Sequence, residues 1–265
     1  QNAGWIALGL WTFDPNILGN GSLVTPDVGA SSLGLLAAYL YWKWFENLSW
    51  GRAALAGLGL GLALLSKSTM LILAPIWIGV WLVRRLWTGI APRDCFRELG
   101  QLTTMLILGG YVLNAGYGFS GTGTPLKEYR FVTHTLGGPD ASQYSPGNRF
   151  TGSGLGEFPI PLPRQFVIGL DLQKRDFENG RWSYLAGEWR WGGWPYFYLV
   201  AIAIKSPLGY GVLSLLTVWC LRNVNAASRR AGLFCFLLLA AFIGVVSAEQ
   251  GFTAFVRYAL PALPL

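Results

Sequence analysis

Long apolar stretches, separated by short turns that hold much of the charge, recur along this chain. The clearest run Val28–Phe45, Ala53–Leu65, Leu71–Trp87, Leu99–Phe119, Pro207–Leu221 and Ala231–Ala248. A helix needs ~20 largely apolar residues to cross a bilayer, with a range of roughly 17–25, so Ala53–Leu65 and Pro207–Leu221 must borrow neighbours. Ala3–Phe13 and Phe252–Leu265 are too short alone and read as end helices. Gln1 and Leu265 both fall inside apolar stretches, with no initiator Met and no leader, so the sequence reads as a piece of a longer protein. The expectation is an all-α polytopic bundle with roughly eight spanning segments. Charged residues are only 12% of the 265, about half the ~25% of a soluble domain, so much of the surface must face lipid. Thirteen Trp and eleven Tyr fit, because amphipathic rings favour the headgroup level.

Basic residues set the orientation. If the helices alternate, Lys43 and Arg52 share one face with Arg84, Arg85, Arg93 and Arg97, and with Arg222, Arg229 and Arg230. The opposite short loops hold Asp14, Asp27, Lys67 and Glu249. The positive-inside rule assigns the first face to the cytoplasm. The organisation expected is then helices over residues 1–119, one large extracytoplasmic loop over residues 120–192, and helices over residues 193–265. That loop has eight basic and seven acidic residues and many aromatics, which disordered segments lack. An ordered, partly helical cap on the membrane surface is expected.

The net charge of +7 does not indicate nucleic acid, because no basic run exceeds two residues. Cys95, Cys220 and Cys235 have no CxxC or Cys/His spacing and read as small apolar fillers. Gly57, Gly59 and Gly61 in "AGLGLGLALLSK" follow no strand, so they are read as small residues for close helix packing rather than as a dinucleotide loop.

Charges at membrane depth cost ~2.5–3.5 kcal/mol on insertion scales and mark function by default. Asp27 stands where a helix begins, after Thr25 and Pro26, and reads either as an N-terminal cap or as a carboxylate held for a polar substrate or a metal. Lys67, in "LLSKST" at the outer end of Ala53–Leu65, is a snorkelling side chain or the partner of an anion such as a lipid phosphate. Lys205 precedes Pro207, which is expected to break Gly193–Leu221 into an interfacial helix and a crossing, leaving Lys205 at the outer headgroup level as a contact for the carrier phosphate or a snorkelling side chain. Arg257, beside Tyr258, suits a bidentate phosphate clamp or an ion pair with Glu249 or Asp27. His134 and Glu188 are further substrate-binding candidates in the large loop. No Walker loop, zinc cluster or soluble-enzyme triad is present. These side chains point to an outer-surface pocket for a phosphate-bearing lipid whose head group undergoes chemistry.

Four passages, in order, resemble the bacterial members of the dolichyl-phosphate-mannose–protein mannosyltransferase group, membrane glycosyltransferases of the GT-C fold related to the lipid A aminoarabinose transferases. They are "DPNILGNGSLVTPDVGASSL", "GLGLGLALLSKSTMLILAP", "YLAGEWRWGGWPYFYLVAIAIKSPLG" and the terminal "RYALPALPL". The resemblance implies transfer of a sugar from a polyprenyl-phosphate carrier to a protein, lipid or polysaccharide acceptor, at the outer side of a bacterial inner membrane. Asp27 then matches an acidic position beside the active cavity, Lys67 the lysine that meets the carrier phosphate, and Arg257 the arginine of an R-Y-x-L-P element. The family's principal acidic pair, usually Asp-Glu after the first helix, is absent from these 265 residues. The catalytic base is therefore expected upstream of residue 1, with Asp27 as a supporting carboxylate, and these residues alone are expected to be inactive. Some relatives bind a divalent metal ion, for which this chain shows no complete ligand set. A transporter or lipid flippase remains the alternative, against which stand the lack of an inverted repeat and the large loop.

Overall fold

The computed structural model describes residues 2–23, 25–88, 92–220, 223–248 and 259–260. Helix α1 (Asn2–Thr12) and the short α2 (Pro15–Gly21) precede α3 (Asp27–Glu46), α4 (Trp50–Ser66), α5 (Leu73–Thr88) and α6 (Pro92–Gly116). A 3-10 turn, Ser68–Ile72, joins α4 to α5. Between residues 120 and 192 lie the single turn α7 (His134–Gly137), the 16-residue α8 (Arg164–Asn179) and a hairpin of β1 (Trp182–Leu185) and β2 (Glu188–Trp191). Helices α9 (Phe197–Lys205), α10 (Leu208–Cys220) and α11 (Ala226–Ala248) follow.

Helix α4 is the centre, and its glycines explain why. A Cβ on Gly57 would lie 2.8 Å from the Met105 carbonyl oxygen, and one on Gly61 would lie 2.4 Å from Val112 Cβ, so this edge rests directly on α6. Gly59 faces the other way, where a Cβ would lie 2.9 Å from Leu40 Cδ1 and 3.2 Å from Ala37 Cα in α3. Small residues on two edges let α3 and α6 approach α4 to backbone distance, the packing expected of the "AGLGLGLALL" run. Gly109 and Gly116 return the fit from α6, receiving Leu60 and Leu65.

A belt of rings closes the opposite side of α3. Tyr41 stacks on Trp77 at 4.6 Å and 14°, and its hydroxyl donates to the Trp77 carbonyl at 2.7 Å. The indole N–H of Trp44 donates to Gln101 Oε1, and that of Trp81 to Glu98 Oε2, both at 2.7 Å. Buried indoles without such acceptors would carry a desolvation cost of about 1–3 kcal/mol each. Rings at these spacings also add about 0.5–1.5 kcal/mol beyond their buried area.

By length and composition, two described helical stretches suffice to cross a membrane, Ser68–Leu86 and Ser228–Ala248. Helices α9 and α10 add a third if taken as one broken span, bent by 110° at Ser206–Pro207. This is fewer than the expected eight, although helices form at nearly all the expected places. Helix α4 has 17 residues and at ~1.5 Å per residue reaches about 26 Å, short of the ~30 Å hydrocarbon core. Helices α3 and α6 are long enough, but Ser31, Ser32 and Lys43 dilute the first, and Gln101, Thr103, Thr104 and Asn114 the second. The expected end segment Phe252–Leu265 lies almost wholly outside the described residues. Of the three cysteines read as fillers, Cys220 is instead exposed, and Cys95 and Cys235 are half-buried.

Gly57→Val and Gly61→Val should each destabilise the folded protein by ~1–3 kcal/mol through overpacking. A Cβ at Gly79 meets nothing within 4 Å, so Gly79→Ala should be neutral or stabilising by up to ~1 kcal/mol. Thermal unfolding of the three variants in detergent checks the contrast.

Candidate active site

Thr25 and Pro26 lead into α3, and Asp27 begins its first turn. The side chain of Asp27 does not hold the N-cap position: Pro26 does, and it makes no side-chain capping hydrogen bond. The carboxylate turns aside instead, and Oδ1 accepts a hydrogen bond from Lys67 Nζ, forty residues away. Lys67 reaches it because the chain leaves helix at that point. With φ −160° and ψ 131° it is an extended residue between α4 and the 3-10 turn.

The ion pair is buried, with side-chain exposures of 12% for Lys67 and 3% for Asp27. Each group is costly in a dry interior without the other, and their contact offsets part of that cost. Asp27 lies next to the N-terminus of α3, whose dipole favours an anion. The ammonium carries three N–H donors, and the contact with Asp27 engages one of them. Next to it, Ser68 Oγ donates to Gln173 Oε1 at 3.0 Å, which ties this end of the bundle to α8.

Lys205 is the last residue of α9 and its side chain is exposed. Asn16 Nδ2 donates to its carbonyl at 3.0 Å, so α2 is fastened to the α9–α10 break. Lys205 lies with Trp182, Tyr184, Trp189, Phe197 and Ile204 around a cavity of about 450 Å³ between the hairpin and α9. Residue pairing places Trp182 opposite Trp191 and Tyr184 opposite Trp189, so four aromatics share one face of the hairpin. Glu188 pairs with Leu185 on the other face and is exposed.

His134 is exposed; its ring Nδ1 lies 2.8 Å from the Pro139 carbonyl, and its own carbonyl accepts from Arg149 Nη2 at 2.9 Å. What holds this segment is α8. Asp171, 2% exposed, accepts from Val132 N at 2.7 Å and from Thr133 Oγ1 at 2.6 Å. Glu178 accepts from His134 N at 2.7 Å, Thr135 N at 3.1 Å and the Thr135 hydroxyl. Burial works to raise the Glu178 carboxyl, but the Thr135 hydroxyl and the two backbone N–H groups outweigh it and hold it below the usual carboxylate range.

The structure thus brings Asp27 and Lys67 into contact and sets Lys205 by a separate aromatic cavity. Arg257, Tyr258 and Glu249 lie outside the described residues. Among the described residues, no group of three or more His, Cys, Asp or Glu side chains converges as metal ligands. Sequence reading missed the roles of Asp14 and Gln173. Asp14 Oδ1 accepts from Asn16 N at 2.8 Å and Ile17 N at 3.1 Å, and Asp before Pro at a helix start was a legible capping signal. No local signal announced Gln173.

Residues 1–114 match the family of the dolichyl-phosphate-mannose-protein mannosyltransferases, and this match supports a mannosyltransferase-like membrane glycosyltransferase. No curated protein and no solved structure matches the chain. The matched segment spans α1 to most of α6 and includes both members of the ion pair.

Asp27→Asn and Lys67→Met, made singly, should each cost ~3–5 kcal/mol, the scale of breaking a buried pair. The double variant should cost clearly less than their sum, and an additive result in thermal or steric-trapping measurements would refute the coupling. For Glu178 the folded-state pKa is depressed, so its stabilisation is present above the unfolded value of about 4.3 and lost as pH falls through the folded one. The destabilisation caused by Glu178→Gln should therefore be full at about pH 6 and fade below about pH 4 in paired melting curves.

Proposed function

We propose that this chain belongs to a glycosyltransferase that moves a sugar from a polyprenyl-phosphate carrier to an acceptor hydroxyl at the extracytoplasmic face. The observation that carries the reading is the buried Asp27–Lys67 pair, which lies within the segment matching the mannosyltransferase family. In the reaction the acceptor oxygen bonds to the anomeric carbon and the carbon–oxygen bond to the carrier phosphate breaks. The electron pair leaves with the phosphate. An ammonium held in place beforehand stabilises the charge that grows there, since a fixed cation needs no reorganisation as the bond breaks. Lys67 fills this role, and Asp27 keeps it aimed.

Asp27 is therefore a positioning residue. Held against Lys67 and almost wholly buried, it is poorly placed to take the acceptor proton, which falls to a base outside this pair. The exposed Lys205 and the aromatic face of the hairpin suit the flank of the same lipid, cation to phosphate and rings to sugar or isoprenoid. The face is read from the basic loops. The acceptor class is a protein by the family's description, with lipid or polysaccharide as further candidates.

The test is transfer from a radiolabelled polyprenyl-phosphate sugar in proteoliposomes containing the full natural protein. Lys67→Ala should lower turnover by about 10²–10³-fold, the scale of losing one electrostatic stabiliser of the transition state. Unimpaired turnover would remove Lys67 from the site. If the wild type leaves every carrier sugar intact but moves lipid or solute across the bilayer, the protein is a transporter, and the broken α9–α10 pair becomes its pathway element.

A further inference from the structure

The end of α3 remote from Asp27 borders a second cavity, of about 460 Å³, between the C-terminal turns of α3 and α5 and the N-terminal half of α11. Its wall is aromatic. Trp42 and Phe45 both pack on Phe234, at 4.8 and 6.1 Å between ring centres. Its mouth is charged, lined by Arg84, Arg230 and Glu46. The guanidinium of Arg84 lies 4.7 Å over the Phe45 ring, so it is already oriented on the apolar wall. Arg230 is exposed, with Nε donating to the Ala226 carbonyl at 3.3 Å. Glu46 is engaged by Lys43 at 3.0 Å, which leaves the mouth with a positive balance.

We infer that this groove is a binding site for an anionic glycerophospholipid of the leaflet beside it. The phosphate would meet Arg84 and Arg230, whose forked guanidinium groups suit bidentate contact with phosphate oxygens. An acyl chain would lie on the Trp42–Phe45–Phe234 wall. The volume is in the range of ligand cavities, roughly 300–1,000 Å³. Two features select this occupant over a soluble anion or a neutral lipid. The wall is too apolar for a free phosphate to gain from, and paired arginines give a zwitterionic headgroup no advantage. Basic pockets between helices on the cytoplasmic side are where anionic headgroups bind, and the two cations that line this mouth, Arg84 and Arg230, belong to the face that the basic loops assign to the cytoplasm. The site is separate from Asp27 and Lys67 and does not rest on the glycosyltransferase reading.

The test is native mass spectrometry of the full natural protein, delipidated and then offered phosphatidylglycerol and phosphatidylcholine in equal amounts. Preferential retention of phosphatidylglycerol is expected, falling about fivefold for each of Arg84→Gln and Arg230→Gln, the scale of one cation at an anionic surface. Glu46→Gln should raise retention, because it removes a carboxylate that lines the mouth. Arg84 also covers Phe45, so if its variant does not fold, Arg230→Gln and Glu46→Gln carry the test with opposite expected signs. Equal retention of the two lipids by the wild type, or indifference to both charge changes, overturns the proposal. So does a photoreactive phenylalanine analogue in place of Leu237 that labels a protein segment rather than lipid.

Discussion

Close contact between helix backbones at the glycines of α4 is the constraint on which the arrangement depends. With Gly57 and Gly61 against α6 and Gly59 against α3, neither neighbour can slide or rotate without a clash. Between apolar helices in lipid, hydrophobic burial gives little drive, so such fit decides the register. The indole and phenol hydrogen bonds to Gln101, Glu98 and the Trp77 carbonyl then fix α5 and α6 to the same frame. The ion pair is an outcome of that register. Asp27 starts α3 and Lys67 ends α4, so their meeting requires both helices to keep their relative height.

The candidate site follows from how α4 stops. An extended residue between a helix and a 3-10 turn lets a lysine leave the helical surface and reach sideways. The neighbouring Ser68–Gln173 hydrogen bond joins this irregular point to α8. Irregular backbone at membrane depth is tolerated where protein surrounds it or it lines a cavity.

Much of the helical frame was legible because apolar runs and the Gly-x-Gly-x-Gly stretch leave few choices. Pro207 marked the break between α9 and α10, and the two residues singled out as Asp27 and Lys67 did meet. Their partnership was not legible, since a period of 3.6 says which face a residue occupies but not which distant residue stands opposite. The capping reading of Asp27 failed for a related reason: local rules favour a cap, and a tertiary cation outbid them. Among the described residues fewer helices than the eight expected are long and apolar enough to cross, because Ser31, Ser32 and Lys43 dilute α3 and α4 is short. His134, named as a further candidate in the large loop, is held through its backbone N–H by Glu178 of α8, a long-range tie that the sequence did not announce.

The pairing of Asp27 with Lys67 also bears on how the protein is made. A lysine or an aspartate entering a bilayer with its own helix faces a penalty of ~2.5–3.5 kcal/mol if it reaches the helix centre, and less near the ends. Here the two belong to consecutive helices joined by a tight turn, at which Ser49 caps α4 and Arg52 Nη1 donates to the Lys43 carbonyl at 2.8 Å. Helices α3 and α4 can thus enter as one antiparallel hairpin whose far end is already neutralised. Entering together, the two helices would spare each charge a passage without its counter-ion. A ribosome that had released α3 without α4 would present the translocon with a lone carboxylate awaiting its counter-ion.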